Sequence, residues 1–226
     1  MLGLDWSILF VVPGIILGLW ATNRLKTSYK KYSAVVTERG YAASTVVDDM
    51  LRRNGNFDVT LKRVGGTLTD HFDPRDDSLS LSDGVYSSPS IAAVGVAAHE
   101  AGHAMQKHDG YALMSLRNVL VPAVSICSTL STPMFLLGLI FTWDIFVTLG
   151  VIFFGASTVF SLLTLPIEFD ASNRAVKMLT SGGYITQAEV AGVRSVLNAA
   201  AMTYVSNAVT SLGYLVRVVL IAIRRK

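Results

Sequence analysis

The sequence predicts a mainly α-helical membrane protein in which about four apolar helices accompany a small α+β lobe with a short β-sheet. Hydrophobic residues make up 51% of the 226 residues and charged residues only 15%, whereas about a quarter of a typical soluble domain is charged. Long apolar runs flank a polar segment that contains short strand-like stretches. Because of the apolar composition, we expect a lipid bilayer as a partner. The net charge of +3 is small, so we expect no nucleic acid as a partner.

Four apolar runs approach or exceed the roughly 20 residues that a membrane-spanning helix needs. They cover residues 6–21, 119–141, 145–165 and 208–223. Three residues separate the second run from the third, so these two predict an antiparallel helical hairpin. The fourth run is shorter and contains Arg217, so it either crosses the bilayer or lies at its interface.

We expect a single membrane-embedded domain over residues 1–226, built from five consecutive parts. These are an anchor (5–22), a polar lobe (23–115), the helical hairpin (118–165), helices that supply a metal ligand (166–205) and a C-terminal apolar helix (206–226). The first run has no basic start and no clear cleavage site, which favours a retained anchor over a signal peptide.

Basic residues indicate which side of the plasma membrane carries the lobe. Four of them follow the first apolar run: Arg24, Lys26, Lys30 and Lys31. The positive-inside rule therefore predicts a multi-pass protein with a cytoplasmic lobe and an outside N-terminus. If the fourth run crosses, however, the basic residues 224–226 lie outside. Either that run does not cross, or the orientation is inverted.

Short strands are expected within the polar lobe. Residues 57–64 and 67–69 predict a β-hairpin around Gly65-Gly66. Residues 78–82 alternate serine and leucine, which is typical of a strand.

One motif of five residues carries the chemistry, and it reads His99-Glu100-Ala101-Gly102-His103. It lies in an apolar stretch that predicts a helix with Ser88 as its N-cap. Side chains four residues apart on a helix project from the same face, so both imidazoles can bind one zinc ion. Glu100 can then act as general base on a zinc-activated water. We expect Zn²⁺ as the cofactor, with one ion per chain.

A catalytic zinc site needs a third protein ligand and keeps one position for water. The carboxylates after the motif are few: Asp109, Asp144, Glu168, Asp170 and Glu189. Asp109 is too close in sequence, Asp144 lies at the far end of the hairpin, and Glu189 has capping-box spacing from Thr186. We expect Glu168 as the ligand, because the hairpin returns it to the side of the two histidines.

Further residues are candidates for supporting roles. Asp170 is expected to accept the free N–H of a ligand histidine, and Arg174 to orient a carboxylate. His71 is a candidate for stabilising the oxyanion. An extended peptide could pair by strand addition with the strand residues Leu79, Ser80 and Leu81.

These residues predict a membrane-anchored zinc endopeptidase that hydrolyses peptide bonds of a polypeptide substrate, with Glu100 as general base. Two alternatives stay open. One is a non-catalytic membrane protein with a structural or sensing zinc site, which has no need of Glu100. The other is an intramembrane-cleaving metalloprotease. The oligomeric state is not specified, and the lone Cys127 excludes an intramolecular disulfide.

Three segments resemble the bacterial YugP-type membrane zinc metallopeptidases: residues 66–75, residues 90–106 around the motif, and residues 166–172. The resemblance covers nearly the whole chain and implies a zincin-like lobe and a zinc-dependent endopeptidase of the plasma membrane. The last segment is also similar to HtpX-type membrane proteases, in which the equivalent of Glu168 is the third zinc ligand. Those proteases carry an aspartate four residues later, where this chain has Ser172.

Overall fold

The computed structural model describes residues 6–225, and helices make up most of them. After a 3₁₀ turn at Trp6–Phe10, the helices are α1 (Val12–Ser33), α2 (Ala43–Arg53), α3 (Asp83–Tyr86), α4 (Ile91–His108), α5 (Ala112–Ile140), α6 (Asp144–Ser181) and α7 (Gln187–Arg224). The strands are β1 (Thr60–Val64), β2 (His71–Asp73) and β3 (Ser78–Ser82).

The chain divides into two compact units, each assembled from separate stretches of sequence. The described part of the first, here called the apolar unit, comprises residues 6–21, 116–165 and 202–225. The second, here called the lobe, comprises residues 22–115 and 166–201. The helices α1, α5, α6 and α7 each contribute residues to both units.

Within residues 6–225, four helical segments are long and apolar enough to cross a membrane. They are Trp6–Ser33, Ala112–Ile140, Asp144–Ser181 and Gln187–Arg224. Three of them contain a predicted apolar run, Ala112–Ile140 ends one residue before the end of the second run, and the short fourth run belongs to the 38-residue helix α7. Together with the small sheet of the lobe, these helices confirm the predicted fold class.

Glycines allow the helices of the apolar unit to approach closely. A Cβ atom added at Gly14 in α1 would overlap Thr210 of α7. One added at Gly150 in α6 would lie 2.7 Å from Phe135 Cβ in α5, and one at Gly138 in α5 would meet Val147 in α6. Small residues serve this purpose in membrane helices generally. The reciprocal contacts of α5 and α6 confirm the predicted antiparallel hairpin.

The sheet of the lobe has the strand order β1-β3-β2. β1 pairs with β3 in parallel, and β2 pairs with β3 in antiparallel orientation. The predicted hairpin between 57–64 and 67–69 is therefore wrong. Leu68 has a φ of 57°, which lies in the left-handed region and cannot continue a strand.

The prediction of a substrate strand at Leu79, Ser80 and Leu81 is also wrong. These residues belong to β3, whose two edges are already hydrogen-bonded to β1 and β2. All five residues of β3 are buried. Strand addition requires an exposed edge with unpaired N–H and C=O groups, and in this sheet β1 and β2 are the edge strands.

The motif helix α4 begins later than predicted, because its N-cap is Ser90, whose side chain accepts a hydrogen bond from the N–H of Ala93. The preceding residues stay extended, since the Ile91 N–H donates to the Val35 carbonyl and the Thr37 N–H donates to the Pro89 carbonyl. This pairing holds the chain out of the helix until Ser90.

The core of the lobe surrounds α4. Its buried apolar side chains pack with α2, β3 and α6, which contribute Val47, Leu79 and Ile167, each 0% exposed. Because α6 supplies part of this core, the burial of apolar surface fixes the part of α6 that follows Leu165 against the motif helix.

Candidate metal centre

The helix α4 presents His99 and His103 on one face, as their four-residue spacing requires. Their ring centroids lie 4.8 Å apart, with one ring edge directed at the other. His103 is buried and His99 is partly buried. The two imidazoles therefore share a confined space inside the lobe.

Glu168 of α6 lies between these imidazoles. Its Oε2 atom is 3.3 Å from His99 Nε2 and 3.5 Å from His103 Nε2. The residue is only 2% exposed. One ligand atom from each of the three side chains lies within 4.8 Å of the others, so these residues could hold a metal ion.

A glycine makes this convergence possible. A Cβ atom added at Gly102 would overlap the carbonyl oxygen of Ala171 on α6. Ala98, Ala101 and Ala175 are also 0% exposed, so the packed surface consists largely of small side chains. The backbones of α4 and α6 thus approach closely enough for Glu168 to meet both histidines.

Each histidine uses its other ring nitrogen for a hydrogen bond. His103 Nδ1 lies 2.9 Å from Gln106 Oε1, and His99 Nδ1 lies 3.1 Å from the Ser172 hydroxyl. The Nε2 atoms of both rings are left facing Glu168. Partners of this kind fix the tautomer and orientation of metal-binding histidines.

Asp170 was predicted to accept the N–H of a ligand histidine, and this prediction is wrong. Gln106 and Ser172 occupy the positions next to the two Nδ1 atoms. Asp170 instead accepts a hydrogen bond of 2.9 Å from Gln106 Nε2 and one of 2.6 Å from Arg174 Nε. Gln106 therefore stands between Asp170 and the imidazole of His103.

Arg174 contacts two carboxylates, Asp170 and Asp109. Asp109 is the C-cap residue of α4 and Arg174 lies on α6, so this guanidinium links the two helices that carry the site. Arg174 was predicted to orient a carboxylate, and its contact with Asp170 is consistent with that role. Among the described hydrogen bonds, none joins Arg174 to Glu168.

His71 is exposed, and its Nδ1 lies 2.8 Å from the carbonyl oxygen of Thr69. The described hydrogen bonds of the three clustered side chains lead to Gln106 and Ser172 rather than to His71. A supporting role at the imidazoles is therefore not available to His71 in this conformation, and its role at an oxyanion stays a prediction.

Glu100 lies between the two histidines in the sequence, and its carboxylate contacts the edge of the sheet. The N–H of Phe72 in β2 donates a 3.0 Å hydrogen bond to Glu100 Oε2. Lys107, further along α4, donates hydrogen bonds of 2.6 Å to the Pro74 carbonyl and 2.7 Å to Asp77. These contacts hold β2 and the β2–β3 turn against the motif helix α4.

Neighbouring charges alter the proton affinity of His103. Burial alone would lower its pKa, but the adjacent carboxylate of Glu168, with contributions from Glu100 and Gln106, raises the pKa above the ordinary value for histidine. The carboxylates around the imidazoles therefore favour positive charge at this site.

The donor set fits zinc. Zinc binds imidazole nitrogen and carboxylate oxygen at about 2.0–2.2 Å in tetrahedral geometry, which separates two donor atoms by roughly 3.3 Å. The distances of 3.3 Å and 3.5 Å from Glu168 to the histidines match this separation. Two histidines and one glutamate leave the fourth position for water, as catalytic zinc sites require.

An HExxH helix joined by a glutamate from a second helix defines the class of zinc metallopeptidases. The chain belongs to the family described as "Putative neutral zinc metallopeptidase", which matches residues 7–223. It is 40% identical over 214 residues to the "Putative membrane protease YugP" of Bacillus subtilis (strain 168), with 95% of each chain covered. No solved structure matches the chain significantly. The family resemblance drawn from the three segments is thus confirmed.

Sequence reasoning missed the parts played by Gln106 and Ser172. Gln106 follows His103 by three residues, a spacing that places both side chains on one side of a helix, and this was the signal that could have revealed it. Ser172 stood out only as a departure from the HtpX-type pattern. Its contact with His99 depends on how α6 packs on α4, which spacing alone does not specify.

Proposed function

We propose that this chain is a membrane-anchored zinc-dependent endopeptidase that hydrolyses peptide bonds, with one zinc ion held by His99, His103 and Glu168. The observation that carries the proposal is the convergence of both Nε2 atoms on one buried carboxylate oxygen, at 3.3 Å and 3.5 Å. Family membership supports the peptidase activity.

The proposed chemistry divides between the metal and the protein. Zinc in such a site supplies Lewis-acid activation of water and of the scissile carbonyl. His99, His103 and Glu168 would hold the ion. Glu100 takes a proton from the attacking water and delivers it to the leaving amine. Glu100 lies close enough to His103 to help raise the pKa of that imidazole, which supports a role for its carboxylate at the site.

The edge strand β2 is the better candidate for binding an extended polypeptide. The Phe72 N–H points away from β3, since it donates to Glu100. In a strand, the N–H and C=O of one residue point to the same side, so the Phe72 carbonyl also faces this edge. A substrate strand that pairs there would replace Glu100 as the acceptor of the Phe72 N–H. A substrate strand paired there would run past Glu100, which supports cleavage near the base.

The membrane location is part of the proposal. Four helices are apolar and long enough to cross a bilayer, and the Bacillus subtilis relative is described as a membrane protease. Glu168 follows Leu165, the last residue of an apolar run, within one helical turn. These features support a multi-pass membrane protein that acts on membrane-proximal polypeptides. We further propose that it forms one domain of the plasma membrane with a cytoplasmic lobe, on the ground of the basic residues that follow the first apolar run.

The replacement Glu100→Gln tests the proposed chemistry. It keeps the size and the hydrogen-bond acceptor for the Phe72 N–H but cannot accept a proton from water. We expect purified protein to cleave casein or itself, and the variant to lose at least about a hundredfold in rate, the usual scale of general-base catalysis, while retaining zinc.

The matched control is His99→Ala, which should lose both zinc and activity. Equal turnover of the natural chain and Glu100→Gln would contradict the peptidase mechanism. Zinc binding without any cleavage in the natural chain would instead favour the structural or sensing site.

A further inference from the structure

Gln106 is fully buried in α4, at 0% exposure, yet the proposed chemistry gives it no direct part. A buried amide needs hydrogen-bond partners for both its oxygen and its nitrogen. Gln106 finds all of them around the metal centre. Its side chain joins His103 on its own helix to two groups on α6.

The partners of Gln106 determine which way its amide faces. The Nε2 atom lies 2.8 Å from the Ile167 carbonyl oxygen and 2.9 Å from Asp170 Oδ2, and both of these atoms are acceptors only. The amide nitrogen must therefore face α6, and Oε1 must face His103. A reversed amide would set its oxygen against a carbonyl and a carboxylate.

This orientation in turn determines the tautomer of His103. Since Gln106 Oε1 can only accept a hydrogen bond, the Nδ1 atom at 2.9 Å must carry the proton. The neutral ring then has its lone pair on Nε2, the atom that lies 3.5 Å from Glu168. A metal ligand needs that lone pair directed at the ion.

The amide also connects the two helices that carry the ligands. Ile167 directly precedes Glu168 on α6, so the hydrogen bond from Gln106 to the Ile167 carbonyl is made one residue from the third ligand. Asp170 is itself held by Arg174, which also contacts Asp109 at the end of α4. Gln106 is thus braced by a continuous set of hydrogen bonds.

We propose that Gln106 is a positioning residue of the metal centre, acting through His103 by holding its imidazole in the Nδ1–H tautomer with Nε2 directed at the ion. This inference rests on the proposed function in one respect, namely that a metal binds at His99, His103 and Glu168. It assigns Gln106 no contact with substrate.

Two replacements of matched length separate the positioning role from a purely structural one. Gln106→Glu keeps an oxygen that accepts the His103 N–H. In place of the amide nitrogen it sets a second oxygen, which can donate to Asp170 or to the Ile167 carbonyl only when the carboxyl group is protonated. Gln106→Met has the same chain length and offers His103 no comparable acceptor. The control is Asn56→Ala, which removes another buried amide that contacts α4 through the Ala104 carbonyl and does not contact His103.

The measurement is the zinc affinity of the full-length chain in detergent, determined by competition with a chromophoric chelator. We expect Gln106→Met to bind zinc about ten- to a hundredfold more weakly, the usual loss when such a partner is removed. Gln106→Glu should bind zinc more strongly than Gln106→Met, because it keeps the acceptor for His103 Nδ1, and Asn56→Ala should bind as the natural chain does. Unchanged affinity in Gln106→Met, or equal losses in Gln106→Met and Gln106→Glu, would overturn the proposal.

A second measurement needs no variant at position 106. In the zinc-loaded natural chain with ¹⁵N-labelled histidine, two-bond proton–nitrogen correlations report the tautomer of each ring, and His103→Asn assigns the signals. We expect a protonated Nδ1 at His103, whereas a protonated Nε2 would overturn the proposal. The outcomes remain distinguishable from the proposed function, because zinc binding without cleavage removes the peptidase but leaves the affinity order and the tautomer as tests of Gln106.

Discussion

The two histidines of the candidate metal centre have hydrogen-bond partners that carry no charge. Ser172 stands next to His99 and Gln106 next to His103, whereas a carboxylate commonly accepts the N–H of a metal-binding histidine. A neutral partner orients the ring but adds less to its basicity. We infer that Ser172 orients the His99 ring while adding little to its basicity.

Replacing Ser172 tests this inference. We expect Ser172→Asp to tighten zinc binding several-fold, because a carboxylate raises the basicity of the imidazole, and Ser172→Ala to weaken it by about tenfold. Chelator competition measures both affinities. Identical affinities in the natural chain and both variants would show that Ser172 does not act on His99.

The sequence was informative for residues whose positions follow from helical spacing. His99, Glu100 and His103 share a helix, so their relation needs no knowledge of tertiary structure. Glu168 was reached by elimination, and it lies beside both histidines. The supporting residues were harder to predict, since the contacts of Asp170, Gln106 and Ser172 depend on the rotation and depth of α6 against α4.

The packing of α4 on α6 holds the ligands together, and it depends on the absence of a side chain at Gly102. The strands of the lobe illustrate the opposite case, in which local pattern was a poor guide. Gly65-Gly66 resembles a hairpin turn, yet the chain leaves β1, passes over, and pairs β2 with the far edge of β3. Leu79 and Leu81 of the central strand β3 are 0% exposed. The strand order therefore depends on long-range packing in the core, which the local sequence pattern does not specify.

The substitution Gly102→Ala tests the helix contact. The added Cβ would overlap the Ala171 carbonyl and force α4 and α6 apart, so we expect a loss of about 1–3 kcal/mol in unfolding free energy and weaker zinc binding. Gly95→Ala on the same helix is the matched control, since its Cβ would lie 3.3 Å from the movable Val193 Cγ1.

Chemical denaturation in the presence of a chelator measures the free energy of unfolding, and competition with a chelator measures the zinc affinity. A Gly102→Ala variant as stable and as strongly zinc-binding as Gly95→Ala would mean that the close approach is not required.

The contacts at one end of the apolar unit bear on whether α7 crosses the membrane. Arg225 lies 3.3 Å from Asp144 and donates a 2.6 Å hydrogen bond to the Gly138 carbonyl, while Arg224 lies over the ring of Trp6. The start of α1, the hairpin turn and the end of α7 therefore lie at one end of this unit. If the hairpin crosses a bilayer, α7 crosses it too.

These contacts favour a crossing α7 over an interfacial one, which leaves the basic residues Arg224 and Arg225 in conflict with a cytoplasmic lobe. More basic residues still follow the first run, among them Arg24, Lys26 and Lys30, so we keep the prediction of a cytoplasmic lobe. The hairpin turn and the C-terminus are then both outside the cell.

Cysteine labelling of intact cells tests this topology in a Cys127→Ser background. We expect a membrane-impermeant maleimide to label Thr142→Cys and a cysteine appended after Lys226. Arg75→Cys, an exposed position of the lobe, should react only after permeabilisation. If Arg75→Cys and Thr142→Cys are both labelled in intact cells, the hairpin does not cross the membrane. If only Arg75→Cys is labelled, the orientation is the inverse of the predicted one.

We propose that one zinc ion is held by the imidazoles of His99 and His103 and the carboxylate of Glu168. X-ray absorption at the zinc edge of the purified chain, with metal content determined on the same sample, tests it most directly. We predict about one zinc per chain with two imidazole nitrogens and oxygen donors at about 2.0–2.2 Å, and loss of this signal in Glu168→Ala. A natural chain that binds no zinc, or a Glu168→Ala variant with the same zinc content and spectrum, would contradict the account.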